Sequence, residues 1–438
     1  MSLKGLLSPA LSGWFLSAAR QERRRARAER LRRSRGEPHR IDYFHQADDP
    51  HAALAAASLP ALARRYDVAI VPHMVGAPSD AVAPERARLL AWARADAQRL
   101  AGRHGLAFLD PGAQPDPSAV AATNAALLDA IDHGRFVDEA GPRSAALWSR
   151  ADGSHPASRA TGEPASHDAV ARRLAEAEAL RARLGHYLGG TFHYGGEWYW
   201  GVDRLHHLER RLQAVGAARP GTTGLLFPPD DDPAAPFAAA QPGPIDFWYS
   251  LRSPYSAIVA PRVLRLAEHA GVTLRLRGVL PMVMRGLPVP RAKRTYIAID
   301  AAREARLRGI DFGRLVDPVG RPAERGLSLM PLARRTGLEP TYLLSFMRGT
   351  WAEGIDAGTD RGLRRIAERA GLAWSDCRDA LGDEGWRAEV EANRVALFER
   401  GLWGVPSFAV GGLAVWGQDR LWAVHDALRR SEDGERDR

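Results

Sequence analysis

Apolar side chains recur along this chain in two rhythms. Short runs such as IDYFHQ (41–46) and IDFWYS (245–250) are rich in aromatic and β-branched residues and read as strands, whereas longer Ala- and Leu-rich stretches read as helices. In the first half, residues 39–46 are a predicted strand, 50–65 an Ala-rich helix and 66–75 a second strand. Residues 84–185 are mostly helical, with a polar, Pro/Gly-rich break at 150–166. TFHY (191–194) and EWYW (197–200) flank Gly195-Gly196 as a tight hairpin, and Asp203 stands where it could cap a closing helix. The second half repeats the plan: strand 244–250, helix from Pro254 to about Ala270, strand 272–280, a helical region from about 291 to 400, strand 406–410, the Gly411-Gly412 turn, strand 413–416 and a closing helix from Asp419.

The repetition extends to the letters. IDYFHQADDPHAALA begins at 41 and IDFWYSLRSPYSAIVA at 245, an offset of 204, while GGTFHYGGEWYWGVDRL ends at 205 and VPSFAVGGLAVWGQDRL at 421, an offset of 216. Matching segments in the same order at nearly the same spacing point to duplication of a whole domain, not to a solenoid with a period of roughly 20–50 residues. The order β-α-β, helical block, β-β-α predicts an α/β protein of two tandem thioredoxin-like domains, each with a helical insertion and with a parallel first pair and antiparallel last pair of strands. The expected divisions are a basic leader (1–38), a first domain (39–214), a Pro/Gly/Asp/Ala-rich linker (215–243), a second domain (244–430) and a charged tail (431–438).

Composition narrows the function classes. The 438 residues carry a formal net charge of +9, yet residues 1–40 alone hold Lys4 and ten Arg against Glu22, Glu29 and Glu37, a net of +8. The remaining body is nearly neutral, so no general binding of nucleic acid is expected. Cys377 is the single cysteine, which excludes an intrachain disulfide, a CxxC pair and a Cys-based structural zinc site; a structural thiol is its plain reading. No apolar run approaches the ~20 residues that span a bilayer. In the leader the positive charge follows the apolar part, and Pro9 and Gly13 are expected to interrupt it, which argues against a signal peptide and for a cytoplasmic protein. Leu3, Leu7, Leu11, Trp14 and Phe15 could share one helical face ahead of the arginine run 23–35, a pattern suited to peripheral contact with an anionic membrane or another protein; a solvated basic helix is the plainer alternative.

Candidate chemistry sits in the second half. The first β-to-α turn of such a sheet exposes the unpaired N–H groups of a helix start, and here it reads SPYS, Ser253 to Ser256. Pro254 suits the first helical position, and Ser253 can cap the helix or donate its hydroxyl to an anion placed there. Val405-Pro406 leads into a short strand where thioredoxin-like folds carry a cis-proline beside that turn, although most X-Pro bonds are trans. Gln418, Asp419 and Arg420 open the closing helix and could bind amino and carboxylate groups; alternatively Asp419 is a cap and Arg420 a surface ion pair.

These residues carry a resemblance. Residues 244–430 resemble the 2-hydroxychromene-2-carboxylate isomerase family, allied to kappa-class glutathione transferases within the DsbA-like thioredoxin-fold superfamily. The similarity lies in IDFWYSLRSPYS, AKRTYIAIDAAREARLRGI, FMRGTWAEGIDAG, GLWGVPSFAV and VWGQDRL. It implies glutathione as cofactor, with Ser253 holding its thiol as thiolate and Ser253, Tyr255, Val405, Pro406, Gln418, Asp419 and Arg420 forming its site. The implied activity is a glutathione-dependent isomerase or transferase acting on small aromatic or conjugated electrophiles, as in aromatic degradation, with no metal. A non-catalytic thioredoxin-fold binding or scaffold protein is the alternative, and disulfide oxidoreductase activity stands third because CxxC is absent. One departure is that the family's Asn in a GN-x-PP loop has no counterpart in MRGLPVPRAK (284–293), where Arg285 and Lys293 are most simply solvated cations.

The first copy has lost the site on this reading. Asp49 stands where Ser253 stands, Gly190 replaces Pro406 and Val202 replaces Gln418. Adjacent Asp48 and Asp49 would repel a thiolate. His45, Asp48, Asp49 and His51 could suggest a metal, but carboxylates at a helix start are also plain caps. The expected role of this copy is structural, as a built-in partner in an intramolecular pseudo-dimer.

Overall fold

A computed structural model describes residues 3–149, 167–240 and 243–429, with side chains from residue 9 onward. The predicted break at 150–166 and the charged tail 431–438 fall outside these residues. The chain forms two compact units: one comprises the residues up to Arg20, Asp230–Val289 and Ile297 onward, the other Gln21–Pro229 with Pro290–Tyr296. The leader is therefore divided between the units, and so is the linker. Residues 217–219 pair with Asp67 and Arg65 of the second-named unit, whereas Phe237 and Ala240 donate to the carbonyls of His269 and Leu428 in the first.

The unit holding most of the C-terminal half is built on one four-stranded sheet. Its strands β5 (Ile245–Tyr249), β6 (Leu274–Gly278), β7 (Ser407–Val410) and β8 (Leu413–Trp416) follow β1 to β4 of the other unit and run in the order β6-β5-β7-β8. β5 pairs in parallel with β6 and antiparallel with β7, and β7 turns into β8 through Gly411-Gly412. Every residue of β5 is buried, as expected of a central strand covered on both faces. Phe247 and Phe408 face each other across β5 and β7 with ring centroids 5.2 Å apart, a stacked pair worth about 0.5–1.5 kcal/mol beyond its buried area. The helix Pro254–Ala270 lays Val259, Val263, Leu266 and Ala270 on this sheet and stops where Gly271 takes the left-handed conformation.

The other unit repeats the strand arrangement. β1 (Arg40–His45), β2 (Ala69–Met74), β3 (Thr191–Tyr194) and β4 (Glu197–Trp200) run in the order β2-β1-β3-β4, with the same parallel and antiparallel senses. Tyr43 and Phe192 take the places of Phe247 and Phe408, 4.8 Å apart. Gly195 and Gly196 both hold positive φ, as a type I′ hairpin turn requires.

Three local expectations differ from the structure. The leader forms the helices Leu3–Phe15 and Ala18–Ser34, and the first runs through both Pro9 and Gly13; the break comes after Phe15 instead. Asp203 and Asp419 are not caps of their α-helices, because each sits inside a 3₁₀ turn (Val202–Arg204 and Gln418–Arg420) that precedes the helix proper. The helical region 291–400 is divided into separate helices, whose Glu339–Trp351 and Arg321–Ser328 members grip the turn after β5. The Trp351 indole donates to the Leu251 carbonyl at 3.1 Å, and Gly326 leaves room for Leu251 and Phe346.

Gly404 is a close-approach position beside the candidate site. A Cβ there would lie 2.3 Å from the Trp416 ring, which itself packs tilted against Trp403 with centroids 5.0 Å apart. Gly404→Ala is expected to cost roughly 1–3 kcal/mol, since a packed indole must move. Chemical denaturation would show this as a lower midpoint with an unchanged slope.

Candidate functional site

The turn after β5 is shaped by its own backbone. Ser253 N–H donates to Ser250 O at 2.9 Å, closing the turn, and Ala257 N–H donates to Ser253 O at 3.0 Å, opening the helix. Ser253 is the N-cap: its Oγ accepts from Ser256 N–H at 3.1 Å, and Pro254 occupies the first helical position. Among the described residues the Ser253 hydroxyl acts as acceptor only, so its proton remains available to a further acceptor. Ser256 is buried and its Oγ accepts from Ser250 N–H at 3.4 Å. Buried Ser250 Oγ has no hydrogen-bond partner among the described residues. Arg252 is held away by a bidentate pair with Asp317 at 2.6 and 2.8 Å. The turn thus presents hydroxyls and a helix start with no carboxylate of its own.

The Val405–Pro406 peptide is cis. The β5–β7 register pairs Trp248 with Ser407; carried two residues further, it places Val405 opposite Ser250, beside the turn. Pro406 is buried, Val405 is partly exposed, and the Pro406 carbonyl accepts from Gly417 N–H at 2.9 Å. Topology therefore brings Ser253, Val405 and Pro406 to one end of the sheet. Tyr255, partly exposed, gives its phenol proton to Asp300 at 2.8 Å, and Asp300 is fixed by Arg303 at 2.6 Å.

The Gln-Asp-Arg segment differs from expectation. Gln418 is 1% exposed and its amide is fully used: Oε1 accepts from Arg262 at 2.8 Å, while Nε2 donates to Glu304 at 3.1 Å and to Asp419. Both amide hydrogens of Gln418 are therefore committed inside the protein. Arg420 is 3% exposed and engaged within the protein, so it is no surface ion pair. Asp419 alone of the three keeps partial exposure. Sequence reasoning missed the residues behind this segment. Arg262 is anchored by Asp232 of the linker at 2.7 Å, and burial resists the Asp232 charge, but the hydrogen bonds and charge of Arg262 hold its pKa low. The available signal was an arginine among Ile258, Val259, Val263 and Leu266 on an apolar helix face.

Arg285 and Lys293 are not simply solvated. Arg285 lies near the Trp403 carbonyl at 3.4 Å. Lys293 donates to the Val82 carbonyl at 2.8 Å, and burial brings its pKa down to about 8.

The corresponding turn of the other unit is filled by its own charges. Asp49 caps the helix Pro50–Arg65, accepting from His51 N–H at 3.0 Å. The His51 ring reaches buried Asp96 at 3.0 Å and Asp49 at 3.6 Å. Burial opposes the His51 charge, but hydrogen bonds to Asp49 and Asp96 outweigh it and lift its pKa to about 9. His45 faces Tyr43 and Ser144 instead, and burial lowers its pKa to about 4. The ring nitrogens of His45 and His51 are thus spent on separate partners, and the grouping of His45, Asp48, Asp49 and His51 as metal ligands is not formed. Gly190 has φ +62, and a Cβ there would sit 3.0 Å from Ala52 Cα.

Residues 244–429 match the DSBA-like thioredoxin domain family, so the C-terminal half is a DSBA-like thioredoxin domain. The chain is 26% identical over 194 residues to 2-hydroxychromene-2-carboxylate isomerase of Pseudomonas putida, spanning 42% of this chain and 94% of the relative. It is 24% identical over 192 residues to the enzyme of the same name from Pseudomonas sp. (strain C18), spanning 42% of this chain and 89% of that one. A solved structure of 2-hydroxychromene-2-carboxylate isomerase is similar at 23% identity and TM-score 0.37, covering 42% of this chain and 93% of that structure.

Two outcomes are expected. An unfolded histidine titrates near ~6.5, so between there and about 9 the folded chain holds a proton at His51 that the unfolded chain releases. Its stabilisation is complete below ~6.5 and is lost as pH rises through about 9, by up to about 3 kcal/mol. His51→Gln should flatten the fall of urea midpoints across this window; an unchanged slope would remove His51 as its source. Burial, with Asp376 and Glu368 nearby, raises the Cys377 pKa to about 11. Native alkylation by iodoacetamide should be about 100-fold slower than in denaturant, matching the smaller thiolate fraction.

Proposed function

We propose that the C-terminal domain is a glutathione-dependent isomerase or transferase acting on small aromatic or conjugated electrophiles, with Ser253 as the residue that meets the sulfur. The observation that carries this reading is the Ser253 turn: a neutral hydroxyl, its proton uncommitted, caps a helix start that has no cysteine or carboxylate of its own. The names of the Pseudomonas relatives support the reaction class and suggest 2-hydroxychromene-2-carboxylate as the first substrate to try.

The residues present fit such a ligand. Bound glutathione would supply a thiolate nucleophile able to add reversibly to a conjugated double bond. The helix N-terminus favours a negative charge, and the Ser253 hydroxyl can donate to it. Together they would lower a thiol pKa from ~8.5 toward neutrality and raise the ionised fraction about tenfold at pH 7. Val405 and Pro406 offer a backbone edge to the peptide, and Asp419 is the partly exposed carboxylate suited to an ammonium group. The Gln418–Arg262–Asp232 network positions Asp419, and Asp300 with Arg303 fixes Tyr255. The first half is read as a diverged copy without this chemistry, supported by its matching strand order and its carboxylate-capped turn.

Turnover of 2-hydroxychromene-2-carboxylate is expected to require glutathione and to fall about tenfold or more in Ser253→Ala at pH 7. Because Ala also removes a cap worth ~1 kcal/mol, Ser253→Asp is the sharper variant. It keeps a capping oxygen but places a negative charge at the turn, so it should fold normally and lose both thiolate absorbance and turnover. A parent that neither binds glutathione nor turns over would instead support a non-catalytic scaffold.

A further inference from the structure

The helix Leu3–Phe15 has two contrasting sides. On one, Pro9 packs against Gly354, where a Cβ would lie 2.5 Å from the Pro9 ring. Ser12 Oγ accepts from Leu315 N–H at 2.9 Å, Leu16 is buried, and the Leu16 carbonyl accepts from Arg306 at 2.9 Å. The helix is thus fixed to the fold and does not trail from it. On the other side Leu11, Trp14 and Phe15 are exposed by 61%, 56% and 37%. Three of the seven exposed large hydrophobic residues in the described structure therefore fall within five positions. Their i, i+3, i+4 spacing makes them one patch.

A cation borders the patch. The Arg20 guanidinium lies 4.4 Å from both the Trp14 and Phe15 ring centroids. The chain then continues into the helix Ala18–Ser34; from Arg20 to Arg35 its sequence carries nine Arg against Glu22 and Glu29, of which Arg25 pairs with Glu197 and Arg32 and Arg33 pair with Glu29. We infer that this face docks on an anionic membrane surface, with Leu11, Trp14 and Phe15 entering the headgroup region and Arg20 beside them meeting acidic lipid.

The charge decides between occupants. A second copy of this face would bring like charges together, and a nucleic acid would satisfy the arginines but leave the apolar triad in water. An acidic bilayer satisfies both at once, and indole and guanidinium groups are suited to the interfacial layer. The chain has no helix among the described residues that is long and apolar enough to span a membrane, so contact would be peripheral.

The test is co-sedimentation of the full chain with phosphatidylcholine vesicles, with and without about one-third phosphatidylglycerol, at low and high salt. The parent should bind only the acidic vesicles and be released by salt. The combined variant Leu11→Ser, Trp14→Ser, Phe15→Ser should reduce partitioning about tenfold or more, with circular dichroism unchanged. Leu109→Ser, at a 70% exposed position elsewhere, should bind as the parent does. The inference fails if the parent ignores acidic vesicles, if the triple variant binds equally well, or if the parent is a dimer that the triple substitution converts to monomer.

Discussion

The site depends on how one helix start is neutralised. The first turn of an α-helix points unpaired N–H groups outward and behaves as roughly half a positive charge. In the helix Pro50–Arg65 the carboxylate of Asp49 answers that charge within the chain, and His51 and Asp96 complete a closed set of ions. In the helix Pro254–Ala270 the cap is the neutral Ser253, which satisfies one N–H without cancelling the field. The same backbone device is met by a carboxylate in one unit and by a neutral hydroxyl in the other.

That open turn is held by parts distant in the chain. Trp351 and Gly326 support Leu251 from the helical block, and Asp317 draws the Arg252 charge aside. Asp232, Arg262, Gln418 and Glu304 form a buried polar relay whose members satisfy one another. Breaking one partner of such a relay strands a buried charge, and so its effect is larger than the strength of any single hydrogen bond. The linker thus contributes a structural residue to the surroundings of the site.

Much of the architecture was legible because short aromatic strands, an Ala-rich helix and glycine hairpins announce themselves through local pattern. The helix 50–65 and the Gly195-Gly196 turn are examples. The remainder required knowledge of distant neighbours. Gln418 looked like a ligand residue because its partners Arg262 and Glu304 lie 156 and 114 residues away. The cis state of Val405–Pro406 differs from trans by only about 0.5–1 kcal/mol in a free chain, too little for local sequence to decide. Asp203 and Asp419 resembled caps because a 3₁₀ turn and an α-helix start share their residue preferences. Lys293 carried a clue in its rarity, one of two lysines in an arginine-rich chain, but its buried setting had no local signature.

Cys377 is buried in the hydrophobic core that also holds Leu363, Ile366 and Trp386. With no other sulfhydryl in the sequence, the native exterior is a blank background for thiol-directed probes. A fluorophore or spin label placed on a newly introduced surface cysteine would report from one known address, with the natural residue left in place.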